Sequence, residues 1–159
     1  MDVNVSEAHD GDAPLIAEIT RKAWEGRCPP TSHGHLESAD KVLNDLREGG
    51  AFILWVGNHP AGSVRWAPTD EDDEIWKIRR LGVLPEYAGQ NLSQYLIEAC
   101  VNRARLSDIA ELRLFLNPWM ESMSHMYEAY GFEPAPEIEF TLRNPNEAPP
   151  IMMRKSLEY

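Results

Sequence analysis

The stretch from Ile75 to Leu116 constrains the fold more than any other, because one helical run joins two strand-like runs there. Ile75 to Leu84 reads as a long strand closed by Pro85, which has no N–H to donate to a ladder. Leu92 to Leu106 sets Leu92, Tyr95, Leu96, Ala99, Cys100 and Leu106 on one face of an amphipathic helix. Glu111 to Leu116 then alternates, with Leu112, Leu114 and Leu116 on one side. A strand–helix–strand unit set among antiparallel runs implies a mixed sheet with helices on its faces.

The flanking sequence supplies those antiparallel runs. Val3 and Val5 alternate with polar residues in a short first strand. Asp12 precedes a helical pattern with Pro14 in its first turn and Leu15, Ile16, Ile19 and Ala23 at helical spacing. Residues 25–37 hold Gly, Pro, Ser and His and read as a loop. Ser38 can cap a second helix carrying Val42, Leu43 and Leu46, which ends at Gly49-Gly50. Ala51 to Val56 and Ala61 to Trp66 form a hairpin about Gly57-Asn58-His59-Pro60, and the acidic run Asp70 to Glu74 is a solvated turn. Ser122 to Tyr130 is a short helix stopped by Gly131, and two last strands fall near Ile138 to Leu142 and Ile151 to Leu157.

Composition narrows the functional classes. At 159 residues the chain fits one domain, 1–159, with a core that needs no metal or disulfide. Cys100 is expected as a small buried hydrophobe, and Cys28 has no evident partner. No apolar run is long enough for a membrane span. The start, MDVNVSEAHDGD, lacks the basic and apolar pattern of a signal peptide, so a cytoplasmic location is the expectation. A net charge of -11 argues against nucleic-acid binding and suits a cationic substrate, although solubility alone explains it equally well.

Val83 to Leu96 is a strand end, a tight loop and a helix start. Backbone N–H groups at such a terminus have no intrahelical partners and carry partial positive charge, which suits a phosphate or pyrophosphate.

With this segment the chain resembles the GNAT acetyltransferase superfamily. Ile78-Arg79-Arg80-Leu81-Gly82-Val83-Leu84-Pro85-Glu86-Tyr87 is similar to the family's fourth strand and its exit. Glu111 to Asn117 resembles its fifth strand with a terminal Asn, and Met126-Tyr127-Glu128-Ala129-Tyr130-Gly131-Phe132 its Tyr-bearing helix ending in Gly-Phe. The likeness is firm over 74–132 and looser outside. The loop departs from the family's pattern: Ala88 stands for Gln or Arg, Asn91 for Gly, and Ser93 for Gly or Ala. Asn tolerates a left-handed backbone and Ser is small, so a cradle of backbone amides survives the changes. A missing cation at Ala88 weakens phosphate binding by ~1–3 kcal/mol.

The resemblance implies an α+β fold, a mixed six- to seven-stranded sheet flanked by four helices. It implies acetyl-CoA as co-substrate, no metal, and an amine of a small molecule or protein as acceptor, with dimerisation common among members. Gly89, Gln90, Asn91, Leu92, Ser93 and Gln94 would grip the pyrophosphate. Backbone groups of Leu81, Gly82 and Val83 would meet the thioester and pantetheine, and Asn117 would hydrogen-bond that arm. Tyr127 would protonate the leaving thiolate; a core aromatic is the competing reading, as helix capping is for Asn117. Members often keep a Glu on the fourth strand, but Lys77 holds that register here. Glu74 is a candidate base only if a bulge re-aims it, and otherwise belongs to the solvated run. His125, His33, His35 and a water relay are alternatives. Trp76 and Trp119 bracket the site and would line an acceptor pocket, with the other tryptophans in the core. A degenerate module that binds coenzyme A or a partner without catalysis is the rival to the enzyme.

Overall fold

The computed structural model describes residues 2–25, 37–138 and 150–157. Strands β1 (Val3–Glu7), β2 (Gly50–Val56), β3 (His59–Pro68), β4 (Ile75–Val83), β5 (Glu111–Leu116), β6 (Glu133–Pro134) and β7 (Ile151–Ser156) form one sheet ordered β1-β2-β3-β4-β5-β7-β6. Helices α1 (Ala13–Trp24) and α2 (Ala39–Glu48) cover one face, while α3 (Ser93–Leu106) and α4 (Ser124–Ala129) pack with the core of the other. Among the described residues, a mixed seven-stranded sheet with four α-helices is the expected α+β architecture.

Period-two alternation assigns side chains to the two faces. In β2, Ala51 and Ile53 join Ile16, Ile19 and Val42 beneath α1 and α2. Phe52 and Leu54 point the other way and join Trp66, Trp76, Leu96 and Leu112. Leu112, Leu114 and Leu116 are buried together, as their spacing predicts.

Helix starts follow local chemistry. The Ser38 hydroxyl accepts the Lys41 N–H at 3.2 Å and caps α2. Asp12 does not cap α1 with its side chain; its carboxylate accepts the His9 N–H at 3.0 Å, in a tight turn that leads into the helix. In α3 the buried residues are Leu96, Ile97, Cys100 and Ala104, continued at the helix entry by Leu92. Tyr95 and Leu106 are exposed, Leu106 to 82%, which corrects their placement on the buried face. Six residues at 100° each carry Leu106 far around the helix from Cys100.

Two other expectations shift. Strand β6 occupies Glu133–Pro134, paired with Arg154 and Met153 of β7, where sequence patterning gave no strand. Ile138 is a bend, and the remainder of the strand expected to Leu142 lies outside the described residues, as do Cys28, His33 and His35. The helix expected from Ser122 begins at Ser124, after a 3₁₀ stretch over Pro118–Met123. The acidic turn from Asp70 to Glu74 is exposed, as expected, and is ordered by Asp72, whose carboxylate accepts the Glu74 N–H at 2.8 Å.

Candidate active site

Strands β4 and β5 are the only parallel pair among the described strands, and they stay together briefly. Ile75, Trp76 and Lys77 pair with Glu111, Leu112 and Arg113, after which the strands separate. β4 keeps its other partner, β3, to its end, and β5 keeps β7 along its whole length. The gap therefore opens between two strands that are each secured on their far side.

The Leu84 N–H donates to Ala61 O at 2.8 Å, toward β3. Strand alternation turns the N–H and C=O of Val83 the opposite way, into the gap. A bulge lies just before this run. Ser63 faces Gly82 and Arg65 faces Arg79, so Arg80 and Leu81 together oppose Val64. Arg80 has φ 57°, a left-handed conformation unusual for a non-glycine residue and more so within a strand. The bulge returns Leu81 to the α3 face with Trp76 and Ile78. It sits six residues past Glu74, too far along to re-aim that side chain.

Beyond β4 a 3₁₀ turn at Pro85–Tyr87 leads to the loop before α3. Gly89 (φ 80°) and Asn91 (φ 55°) are both left-handed, so Asn91 adopts the conformation that its side chain tolerates. Ala88 N–H bonds Pro85 O, and Gln94 N–H bonds Asn91 O. The amides between them, at Gly89, Gln90, Asn91, Leu92 and Ser93, have no carbonyl partner among the described residues. Leu92 and Ser93 lie at the start of a 14-residue helix, so its dipole adds to their positive potential.

A cavity of about 320 Å³ runs along these features. Its lining includes Leu81, Gly82 and Val83 of β4 and Ala88, Gly89, Asn91, Leu92 and Ser93 of the loop. Trp24 of α1 closes one side, and Met120, Met123 and Met126 the other. Gly82 is required where Trp24 crosses the strand, because a Cβ there would lie 2.4 Å from the indole Cζ3. The Ser93 hydroxyl is 3.2 Å from the Met126 sulfur, joining the loop to α4.

The structure brings most of the expected cofactor-binding residues to this cavity. Gln90 and Gln94 belong to the loop and first helical turn but are not in its lining, and Asn117 follows β5 at the far side of the gap. Tyr127 is 3% exposed within the core cluster, outside the cavity lining, and lies edge-on to Phe132 at 5.8 Å between ring centres. Burial, then the nearby Cys100 and Tyr130, push its phenol well above the ordinary range, so the hydroxyl keeps its proton at neutral pH. Burial likewise holds Cys100 as a thiol.

Glu74 is exposed at the opposite end of β4, roughly 23 Å along the strand from Leu81 at ~3.3 Å per residue. His125 is exposed on α4, its Nδ1 3.7 Å from Glu128 Oε2. Trp76 stacks on Trp66 in the core, 5.5 Å between ring centres, and does not line this cavity. Among the described residues that line it, none carries a carboxylate or an imidazole. The methionine wall was missed in the sequence, although Met120, Met123 and Met126 recur at intervals of three, one edge of a helical turn.

Behind the cavity, on the α1–α2 face, lies a buried ionic network. Arg65 of β3 is 1% exposed; its guanidinium contacts Glu37 Oε1 at 2.9 Å and Asp45 Oδ2 at 2.8 Å, and donates to the Thr20 hydroxyl at 2.9 Å. Arg80 Nε donates to the same Glu37 Oε1 at 2.9 Å, and Arg79 Nη2 reaches Asp45 Oδ1 at 3.4 Å. The network ties α2 and Glu37, just ahead of its cap Ser38, to β3 and β4.

Comparison with solved structures finds this architecture repeatedly. The PaiA N-acetyltransferase from Thermoplasma acidophilum, solved with coenzyme A, aligns with TM-score 0.77 at 16% identity, over 98% of this chain and 99% of that one. The ribosomal-protein-S18-alanine N-acetyltransferase from Escherichia coli aligns with TM-score 0.76 at 18% identity, over 99% and 96%. N-acetylglutamate synthase from Neisseria gonorrhoeae, solved with coenzyme A and N-acetyl-glutamate, aligns with TM-score 0.75 at 20% identity; all of this chain corresponds to 36% of that one. No curated protein matches by sequence. The sequence model described as the acetyltransferase (GNAT) family matches residues 16–132, most of the chain and the whole of the cavity lining, so the protein belongs to that family of acyltransferases.

Proposed function

We propose that this protein transfers an acetyl group from acetyl-CoA to an amine of a small-molecule or protein acceptor, as one catalytic unit over 1–159 in the cytoplasm. The observation that carries this reading is the continuity of the gap. Backbone of β4 that leaves β5 leads through one cavity to five amides, in the loop and at the helix start, that have no carbonyl partner among the described residues. That sequence of groups fits a long ligand with an extended amide-bearing arm and a pyrophosphate. Two structural neighbours were solved with coenzyme A. Among the described residues, no helix is long and apolar enough to cross a membrane.

Bound acetyl-CoA supplies an activated acyl carbon. The amides of Gly89, Gln90, Asn91, Leu92 and Ser93 hold the pyrophosphate, with Gln94 beside them in the first turn of α3. Gap-facing backbone groups of β4 pair with the arm, and those at Leu81 to Val83 orient the thioester carbonyl. Asn117 bonds the arm from the β5 side. In the transfer a C–N bond forms to the acceptor, the C–S bond breaks, the amine gives up a proton and the sulfur gains one. Tyr127, protonated across the neutral range, donates to the sulfur. The amine proton leaves through water.

Calorimetric titration with acetyl-CoA, followed by thiol release with a panel of amines, tests the reading. Saturable binding with turnover supports it. Binding without turnover on any amine selects the non-catalytic module, and no binding at millimolar ligand refutes the transferase.

A further inference from the structure

Local charge on the α1–α2 face, in a cluster that reaches Arg80 one residue from cavity-lining Leu81, runs opposite to the charge of the chain as a whole. The protein carries -11 net, yet the cluster on the α1–α2 face sets three guanidiniums, Arg65, Arg79 and Arg80, against two carboxylates, Glu37 and Asp45. Burial, which outweighs the opposing charge of Glu37, pushes the Lys41 ammonium of α2 below its ordinary range, so the three guanidiniums carry the excess.

The arrangement fixes one guanidinium and leaves its outer edge open. Glu37 is fully buried and spends one oxygen, Oε1, on both Arg65 and Arg80. Arg80 is bonded through Nε alone; its Nη1 and Nη2 have no partner among the described residues, and the side chain is 24% exposed. A guanidinium anchored at Nε presents its two terminal nitrogens as a fork, the shape that pairs with a carboxylate. Its backbone is held in the left-handed region at the bulge, one residue before cavity-lining Leu81. Strain of this kind at a non-glycine residue persists only where the surroundings enforce it. Arg79 reinforces the excess, since among the described residues its Nε is buried without a partner and its ion pair is the 3.4 Å contact to Asp45.

We infer that Arg80, backed by Glu37, recognises a carboxylate on the acceptor, so that the preferred amines are amino acids or peptides with a free carboxylate near the reacting nitrogen. This inference rests on the transferase reading proposed above and narrows its acceptor. It opposes the expectation of a cationic acceptor drawn from net charge, because a direct ion pair to the acceptor outweighs surface charges beyond a Debye length of about 8 Å.

The test compares each amino acid with its carboxamide and its decarboxylated amine, in wild-type protein and in Arg80→Gln and Arg80→Lys, following thiol release from acetyl-CoA. Wild type is expected to favour the carboxylate form. Arg80→Gln should raise KM for that form by ~10- to 100-fold while leaving KM for acetyl-CoA unchanged and removing the preference over the amide. Arg80→Lys should fall between, keeping charge but losing the fork. Melting curves of each variant confirm that it is folded; if Arg80→Gln is not, Arg80→Lys with the wild-type acceptor series decides. Equal or better kcat/KM for the amide and decarboxylated forms in wild type overturns this inference alone. Turnover with no acceptor, despite bound acetyl-CoA, overturns it together with the transferase reading.

Discussion

Replacing Gly82 by alanine probes whether the wall of the cavity is as tightly set as its geometry implies. A methyl group there would lie 2.4 Å from Trp24 Cζ3, 3.2 Å from Trp24 Cη2 and 3.0 Å from the Ala23 Cβ. All are well inside ordinary contact, and Trp24 is a buried residue of the α1 core. The indole must move or the strand must shift, and overpacking of this sort costs about 1–3 kcal/mol. For a chain of this size that corresponds to a fall in Tm of roughly 2–12 °C at about 2–4 °C per kcal/mol. Because Trp24 and Gly82 both line the cavity, acetyl-CoA affinity should fall as well. Trp24→Phe removes the ring atoms that meet the new methyl group but costs packing of its own. In the double variant the losses should therefore be less than additive, with a coupling of ~1–2 kcal/mol. Thermal and denaturant unfolding of the four proteins, with calorimetry for acetyl-CoA, reads all three quantities. Strict additivity, or a Gly82→Ala protein as stable and as tight-binding as wild type, refutes the argument.

Tyr127→Phe should lower kcat by ~10²-fold or more with little change in KM for acetyl-CoA, measured by thiol release. Since burial raises the Tyr127 phenol, the loss of wild-type rate due to its ionisation should set in only above the ordinary phenol pKa of about 10; a rate that falls between pH 8 and 9 would exclude it as the donor. Arg65→Met should cost ~3–5 kcal/mol by urea denaturation, because it leaves Glu37 and Asp45 with weaker partners in a buried setting. Leu106→Gln should change stability by less than about 0.5 kcal/mol in the same assay, since the side chain is exposed at the end of α3.

The sequence was most legible where one periodicity acted alone. Leu112, Leu114 and Leu116 needed only the alternation of a strand, and Ser38 only the capping preference of a hydroxyl. Asn91 was legible for a chemical reason, as one of few residues at ease with a left-handed backbone. The bulge at Arg80 had no local signal, since an arginine has no intrinsic liking for φ 57°. Its anchor is Glu37, 43 residues away in the chain, so the conformation is a tertiary effect. Leu106 misled because apolar character was counted without its helical angle. Glu74 drew notice as a carboxylate near the right strand, but strand length separates it from the cavity. Gly82 gave no hint that it makes room for Trp24, because that contact joins α1 to β4 and exists only in the folded chain.

The parting of β4 from β5 also bears on how the sheet avoids unwanted partners. Unpaired strand edges usually lie at the periphery, where another chain can add to them and seed aggregation. Here the open edge lies in the interior, between strands secured on their outer sides by β3 and β7. A second polypeptide strand, with side chains on both faces, meets Trp24 on one side and the methionines on the other. A slender, unbranched chain with well-spaced amides can enter and complete the hydrogen bonding. Under the proposed function such a ligand acts as a temporary extra strand, so occupancy and folding are linked: at a hundred times its Kd it would add about 2.7 kcal/mol to the stability of the sheet it completes.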